Sequence, residues 1–218
     1  MNFRAIAWDI DGTLIDSEPL HLESLLAVCK IHNVDISDLA DDCFVGVNLF
    51  DVWTTLKNRF GPDVERGEWI DEINSYYAAH THKMSALPGA VETVKALQRA
   101  GLPQVAVSNS NRNVVDANLR ALGLDHILVW SLSLDDVAPK GKPDPFPYLQ
   151  AAKHLGLEPS TIAAVEDSVT GVTSAKAAGL YVFALSPCGK TMPMADKTIS
   201  SLDVLQDHLL QAVPASSW

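Results

Sequence analysis

Ala5-Ile6-Ala7-Trp8-Asp9-Ile10-Asp11-Gly12-Thr13-Leu14 is the stretch from which the rest of the chain is read. An apolar run of strand length ends in two aspartates one residue apart and breaks at a glycine. That predicts a buried strand whose C-terminal end delivers carboxylates into a turn. In open α/β sheets this edge is where ligands bind. Side chains along an extended segment repeat with period two, so Asp9 and Asp11 are expected on the same side. Paired carboxylates suit either a Mg²⁺ site or a nucleophile with an acid/base partner. Gly12 supplies the tight turn, and Thr13 offers a hydroxyl or an N–H to a phosphate oxygen.

The 218 residues suffice for one sizeable core with a smaller insert, or for two modest domains. With 47% apolar residues the composition is that of a globular protein, not a disordered one. Sixteen basic against 27 acidic residues give a net charge of -11, which disfavours general nucleic-acid binding. A small anionic substrate stays compatible, because a metal and one or two basic residues can set the local field. No run approaches the roughly 18 apolar residues of a membrane span, and the N-terminal segment lacks the pattern of a secretory signal. A cytoplasmic protein without membrane attachment is therefore expected. Cys29, Cys43 and Cys188 form neither a disulfide framework nor a CxxC pair.

Asp16-Ser17-Glu18-Pro19 reads as the start of a helix with apolar positions at Leu22, Leu25, Leu26 and Cys29. Turn formers and acidic residues break the period over 31–42. Further helices are predicted over 48–60, with Leu49, Val52, Trp53, Leu56 and Phe60, and over 65–84, with Trp69, Ile70, Ile73 and Tyr77. From residue 86 the pattern changes. Helices over 89–101, 113–122, 149–155 and 171–178 alternate with strands over 104–108, 127–130, 161–165 and 180–185. This alternation predicts a mostly parallel sheet with helices on both faces, to which the first strand belongs. The tail from Pro187 carries little periodicity beyond a short helix over 202–209. The helical block is then an insertion placed directly after the aspartates, where it can close over them and read a substrate, with the links near Asp16 and Ala86 as hinges.

The expected strand ends collect polar groups. Asp9 and Asp11 follow the first strand, Ser108-Asn109-Ser110 the next, Lys142 precedes a helix, and Glu166-Asp167-Ser168 follows Ala163-Ala164-Val165. Each alone has a plain structural explanation: a turn hydroxyl, a solvated lysine, a helix cap. In a parallel sheet, however, they converge on one edge, and together their types fit phosphoryl transfer. Asp9 is the candidate nucleophile and Asp11 the candidate acid/base. Ser108 can hydrogen-bond the transferring group, and Lys142 can offset its charge and keep Asp9 ionised. Asp167, with Glu166, would complete a hard oxygen site for Mg²⁺ around Asp9 and the backbone carbonyl of Asp11. Asn109, Ser110, Asn111 and Arg112 in the second loop, and Asn48, are substrate-binding candidates.

These motifs resemble those of the haloacid dehalogenase-like (HAD) phosphohydrolases, in the branch similar to beta-phosphoglucomutase and phosphoglycolate phosphatase. The matching segments are Asp9-Ile10-Asp11-Gly12-Thr13-Leu14 running on to Asp16-Ser17-Glu18, then Ser108-Asn109, Lys142 within Gly141-Lys142-Pro143-Asp144-Pro145, and Glu166-Asp167-Ser168 followed by Gly171. The resemblance implies an α/β fold, with residues 1–16 and 86–218 as a Rossmann-like catalytic core and residues 17–85 as a helical cap. It implies Asp9 as nucleophile, Asp11 as acid/base, and Mg²⁺ held by Asp9, Asp11 and Asp167. An aspartyl-phosphate would then be hydrolysed by water or, in mutases, passed to a sugar hydroxyl. Asp11 favours phosphoryl chemistry over carbon–halogen cleavage, since dehalogenases of similar fold lack that aspartate and a poor alkoxide leaving group needs a proton.

The resemblance also draws in His21, at a position where sugar-phosphate enzymes place a histidine, and Arg112, near where related enzymes bind a distal phosphate or carboxylate. Mutase-like relatives carry basic residues in a cap loop that reads Phe44-Val45-Gly46-Val47-Asn48-Leu49 in this chain. Val45 and Leu49 stand at those two positions, and burying an unpaired dianion against them would be costly. The expected function is therefore a Mg²⁺-dependent phosphatase of small phosphorylated metabolites, sugar phosphates first and phosphoglycolate-like acids next, acting as a monomer or weak homodimer. A phosphohexomutase and a non-catalytic binding protein on the same fold are the alternatives.

Overall fold

The computed structural model describes residues 3–40, 43–44 and 47–210. Val45, one of the two apolar cap-loop positions, and Asp42, at the end of the acidic stretch, lie outside them. The chain separates into two compact units, Met1–Asp16 with Ser85–Trp218, and Ser17–Met84. In chain order the first unit begins with β1 (Ala5–Trp8) and β2 (Ile15–Asp16). The second unit follows with α1 (Glu18–Ile31), α2 (Leu49–Leu56) and α3 (Arg66–Ala79). The first resumes with β3 (Ser85–Ala86), α4 (Ala90–Arg99), β4 (Gln104–Val107), α5 (Arg112–Leu122), β5 (Trp130–Leu132) and α6 (Leu134–Val137). It closes with α7 (Phe146–Leu155), β6 (Ile162–Glu166), α8 (Val169–Ala177), β7 (Tyr181–Leu185), β8 (Lys197–Ile199) and α9 (Leu202–Leu210).

Six strands form one parallel sheet in the order β5-β4-β1-β6-β7-β8. Every residue of β1, β4 and β6 is buried, as required when both faces of a parallel sheet are covered. Ala5 and Ala7 pack with Val105, Val107, Tyr148 and Ala164 in one apolar cluster. Trp8, next along the strand, donates its indole N–H to Gln104 at 2.9 Å. β1 lies between β4 and β6, so the strand order reverses beside it, and the carboxyl ends of these three strands border the crevice that such a reversal creates.

The α/β reading from the sequence is borne out, with local corrections. The strand expected over 127–130 is β5, three residues later. Ile127 and Leu128 instead close turns on the Leu124 carbonyl, and their apolar side chains are buried without joining the sheet. β8 was not foreseen; Lys197–Ile199 carries a lysine and a threonine and lacks a strand-length apolar run. In α1 the buried stripe is Leu20, Leu25, Val28 and Cys29, whereas Leu26 is exposed. The segments at Asp16 and Ala86 pair as the antiparallel ribbon β2/β3, with Ile15 opposite Ala86. Within the second unit, Trp69 and Ile73 of α3 pack with Leu25 and Val28 of α1 and with Val52 and Leu56 of α2; Leu49 and Trp53 border this core.

Candidate active site

The loop after β1 is tied down by its own backbone. Thr13, Leu14 and Ile15 all donate to the Ile10 carbonyl, and Gly12 donates to Ile15 at 2.9 Å. Gly12 has φ +76°, and a Cβ there would come within 2.2 Å of the Asp167 carboxylate, so both conformation and space demand glycine. This close approach brings the end of β6 against the end of β1. Asp9, one residue beyond β1, still donates its N–H to Val165 at 3.0 Å, which orients its side chain at the sheet edge.

Asp9 is 6% exposed and Lys142 8% exposed, so the pair is shielded from bulk water. Lys142 Nζ lies 2.7 Å from Asp9 Oδ1, 2.6 Å from Glu166 Oε1 and 2.8 Å from the Val107 carbonyl. Asn109, in the loop after β4, holds the Lys142 backbone from both sides. Its Oδ1 accepts from Lys142 N–H at 2.8 Å, and its Nδ2 donates to the Lys142 carbonyl at 3.0 Å. Burial alone would lower the lysine's pKa, but Asp9 and Glu166 raise it above its usual range. Lys142 is therefore a permanent cation between two carboxylates.

Glu166, the last residue of β6, is fully buried. Its Oε1 also accepts from the Tyr148 hydroxyl, while Tyr148, on α7, lies under the Lys142 ammonium with its ring centroid 5.4 Å away. Gly171 of α8 gives Glu166 its space, since a Cβ there would stand 1.8 Å from the carboxylate. Ser168 caps α8 by accepting from Gly171 N–H at 3.0 Å, leaving the neighbouring Asp167 directed at Gly12 and Thr13.

Ligand atoms from Asp9, Glu166 and Asp167 lie within 4.8 Å of one another. Asp9 Oδ2 and Glu166 Oε2 are buried and accept no hydrogen bond among the described residues. Hard oxygens, unsatisfied lone pairs and an excess of negative charge over one lysine fit a hard divalent cation. The same features perturb ionisation. Burial, helped by the Asp9 charge and opposed by the Lys142 ammonium, leaves Glu166 pushed up to about 8. Burial and the Asp9 charge push Asp167 up to about 7, and burial raises Asp9 as well.

These carboxyls hold protons in the folded state that they release when unfolded, so metal-free stability falls as pH rises from about 4 through 7 to 8. Thermal unfolding in a chelator at pH 5, 6.5 and 8 is expected to show a falling Tm, with Mg²⁺ raising Tm most at pH 8, where the carboxylates are ionised. A Tm that rises across that range in chelator would remove this account of the cluster.

Asp11 has a different setting from Asp9. Its Oδ2 accepts from Ser110 Oγ at 2.8 Å and Ser108 Oγ at 3.2 Å, and its Oδ1 accepts from Asn118 Nδ2 at 3.0 Å. The carboxylate is not in the cluster that Asp9, Glu166 and Asp167 form among the described residues. Its charge contributes to the upward shift of Asp9. Ser108, read from sequence as a ligand of the transferring group, here donates to Asp11 and accepts from Ser110 N–H at 2.9 Å.

Arg112 and Asn111, read from the sequence as substrate-binding candidates, make their hydrogen bonds within the fold. The Arg112 guanidinium bonds Asp136, Asp116 at 3.2 Å, Ser131 Oγ at 2.8 Å and the Ser131 carbonyl at 3.0 Å, so it fastens α5 to β5 and α6. Asn111 Nδ2 donates to Asp135 at 2.9 Å, and Arg112 N–H donates to the same carboxylate at 2.7 Å. The sequence could not reveal this clasp, since the acidic residues that occupy the arginine lie in other elements or one helical turn away. In the second unit, Asn48 caps α2, accepting from Asp51 N–H at 3.0 Å and donating to its carboxylate at 2.7 Å. His21 stacks on Tyr77 with ring centroids 4.4 Å apart. Asn118 and Tyr148 were missed. The signal for Asn118 was a polar residue on the buried stripe of α5 with Val114, Val115 and Leu122.

A family model described as haloacid dehalogenase-like hydrolase matches residues 3–179. The chain is 28% identical over 213 residues to validoxylamine A 7'-phosphate phosphatase of Streptomyces hygroscopicus subsp. limoneus, covering 94% of this chain and 95% of that protein. It is 31% identical over 210 residues to hexitol phosphatase B of Escherichia coli K12, covering 92% and 93%. Among solved structures, a HAD family hydrolase from Deinococcus radiodurans R1, with bound phosphate and sodium, superposes with a TM-score of 0.72 at 28% identity, covering 97% of this chain and 96% of that one.

Proposed function

The chain belongs to the haloacid dehalogenase-like hydrolases and is a phosphatase of that family, and from that premise we propose that it hydrolyses small phosphorylated metabolites with Mg²⁺ through a phosphate ester of Asp9, sugar phosphates being the preferred class. The observation that carries the proposal is the state of Asp9: a buried carboxylate with one oxygen on Lys142 and the other without a hydrogen bond among the described residues, beside Asp167.

Asp9, Asp167 and the Asp11 carbonyl would hold the cation, with Glu166 beside them. When bound, it supplies positive charge that lowers the repulsion between the Asp9 carboxylate and the phosphoryl oxygens. Asp9 attacks phosphorus with a carboxylate oxygen as Asp11 gives a proton to the departing sugar oxygen. Asp11 then takes a proton from water, whose oxygen attacks the acyl phosphate and releases inorganic phosphate with Asp9 restored. Lys142 offsets the charge that accumulates on the phosphoryl oxygens and keeps Asp9 in place. Sugar phosphates rank first because a relative of nearly equal length is named as a hexitol phosphatase, beside one named for validoxylamine A 7'-phosphate. The apolar Leu49, which packs against the core of its own unit, supplies no charge for a second phosphate and so favours hydrolysis over mutase chemistry.

The test is phosphate release from hexitol and hexose phosphates, phosphoglycolate and nucleotides, with Mg²⁺ or with chelator. Sugar and hexitol phosphates are expected to lead by about tenfold or more in kcat/KM. Chelator should abolish release and Mg²⁺ restore it. Interconversion of beta-glucose 1-phosphate and glucose 6-phosphate without release would replace this reading by a mutase; Mg²⁺ binding with neither activity would replace it by a binding protein.

A further inference from the structure

Asp11 is held from two elements distant in sequence. Ser108 and Ser110, in the loop after β4, donate to one carboxylate oxygen, and Asn118, on the second turn of α5, donates to the other. With donors on both oxygens, rotation of the carboxylate breaks at least one bond, so its plane as well as its position is defined. When ionised, Asp11 can only accept, which sets the Asn118 amide with its nitrogen toward it. Asn118 is fully buried on the stripe that α5 turns inward with Val114, Val115 and Leu122. An amide there costs desolvation that a leucine would not, so its place in the stripe goes with the charged group it meets. α5 is itself anchored at its first turn, where Asp135 accepts from the Arg112 N–H and the guanidinium clasps Asp136 and Ser131. Ser110 is anchored too, its carbonyl accepting from Leu134 N–H at 2.9 Å.

We propose that Asn118, together with Ser110, is a positioning residue for the acid/base Asp11, aiming its carboxyl so that proton delivery to the leaving oxygen is in register with attack by Asp9. This rests on the assignment of Asp11 made above. The role concerns protonation of the leaving group, so its loss depends on how much that group needs a proton. A sugar alkoxide is a poor leaving group and needs one. A p-nitrophenolate is a good leaving group and departs without one.

The experiment compares kcat/KM, which covers all steps through the first departure of the leaving group, for a hexitol or hexose phosphate and for p-nitrophenyl phosphate, in Mg²⁺. Asp11→Asn sets the signature expected of a lost acid: a fall of about 10²-fold or more on the sugar phosphate and a much smaller one on the nitrophenyl ester. Asn118→Leu and Ser110→Ala are expected to repeat that asymmetry, each losing about tenfold or more on the sugar phosphate and under about threefold on the nitrophenyl ester. Unfolding curves accompany each variant. If Asn118→Leu fails to fold, Asn118→Ala and Ser110→Ala decide.

Equal losses on both esters would make Asn118 and Ser110 structural only and overturn the inference, as would unchanged kinetics on both. If Asp11→Asn shows no asymmetry either, the acid/base assignment itself fails. If Asp11→Asn shows it while the Asn118 and Ser110 variants do not, the positioning inference alone fails.

Discussion

Asp9→Asn is expected to abolish phosphate release, with kcat reduced by more than about 10⁴-fold, the scale of loss when a covalent nucleophile is removed. The amide keeps the shape of the side chain and its backbone anchor to Val165, but it has no anionic oxygen with which to attack phosphorus. Folding should not suffer. Burial already raises the Asp9 carboxyl above its usual range, and its Oδ2 accepts no hydrogen bond among the described residues, so in the metal-free protein the charge is a cost. The variant is therefore expected to unfold in chelator at a temperature equal to or above that of the parent, while Mg²⁺ raises it less. Single-turnover assays with labelled substrate would show no acyl phosphate. Residual turnover above about one per cent of the parent, from protein free of contaminating phosphatase, would move the nucleophile elsewhere.

Lys142→Met is the second large effect, and it acts on stability and activity together. The ammonium is the shared partner of Asp9, Glu166 and the Val107 carbonyl, all at 2.6 to 2.8 Å. Its removal leaves two buried carboxylates facing one another without compensation, and breaking such a buried pair from one side costs about 3–5 kcal/mol. For a chain of this length that is a fall in Tm of roughly 10 °C at pH 8 and above, where Glu166 is ionised. The loss should shrink toward pH 5, because Glu166, already pushed up to about 8, and Asp9 then carry protons and need no counter-charge. Turnover should fall by at least about 10³-fold, since the fixed positive charge facing the phosphoryl oxygens is gone. A methionine variant with the parent's Tm at pH 8 would contradict the buried-pair account, and one with the parent's kcat would remove Lys142 from the chemistry.

The architecture was legible where local pattern and global fold agree. Ala5 to Trp8, Val105 to Val107 and Ile162 to Val165 are short apolar runs with polar residues immediately after, and a parallel sheet is what makes all three ends meet. The aspartates and the Glu166-Asp167 pair could be gathered from the sequence for that reason, as each sits at or beside a strand end that backbone pairing alone aligns, whereas Lys142, in the loop between α6 and α7, was gathered from its motif. Where local pattern is weak the reading slipped. β5 begins at Trp130 because the register opposite Val105 is decided by the neighbouring strand, not by the apolar pair Ile127-Leu128. β8 has no apolar run of its own and exists because β7 offers it an edge.

The division inside the site follows the same line. The sequence by itself determined which residue types arrive at the edge of the sheet, because strand length, the glycine break and the spacing of Asp9 and Asp11 are local properties. Only the tertiary structure decided what each of them touches. Asp9 and Asp11, alike in sequence and two residues apart, divide their partners: Lys142 for the first, and Ser108, Ser110 and Asn118 for the second. Arg112 became a clasp between elements, and Tyr148 became the support of Glu166 and Lys142. Hydrogen bonds and ion pairs have a reach of about 3 Å and depend on how helices and loops pack against the sheet. A contact between residues 107 positions apart, such as Asn118 with Asp11, is therefore set by that packing and leaves no periodic trace along the chain.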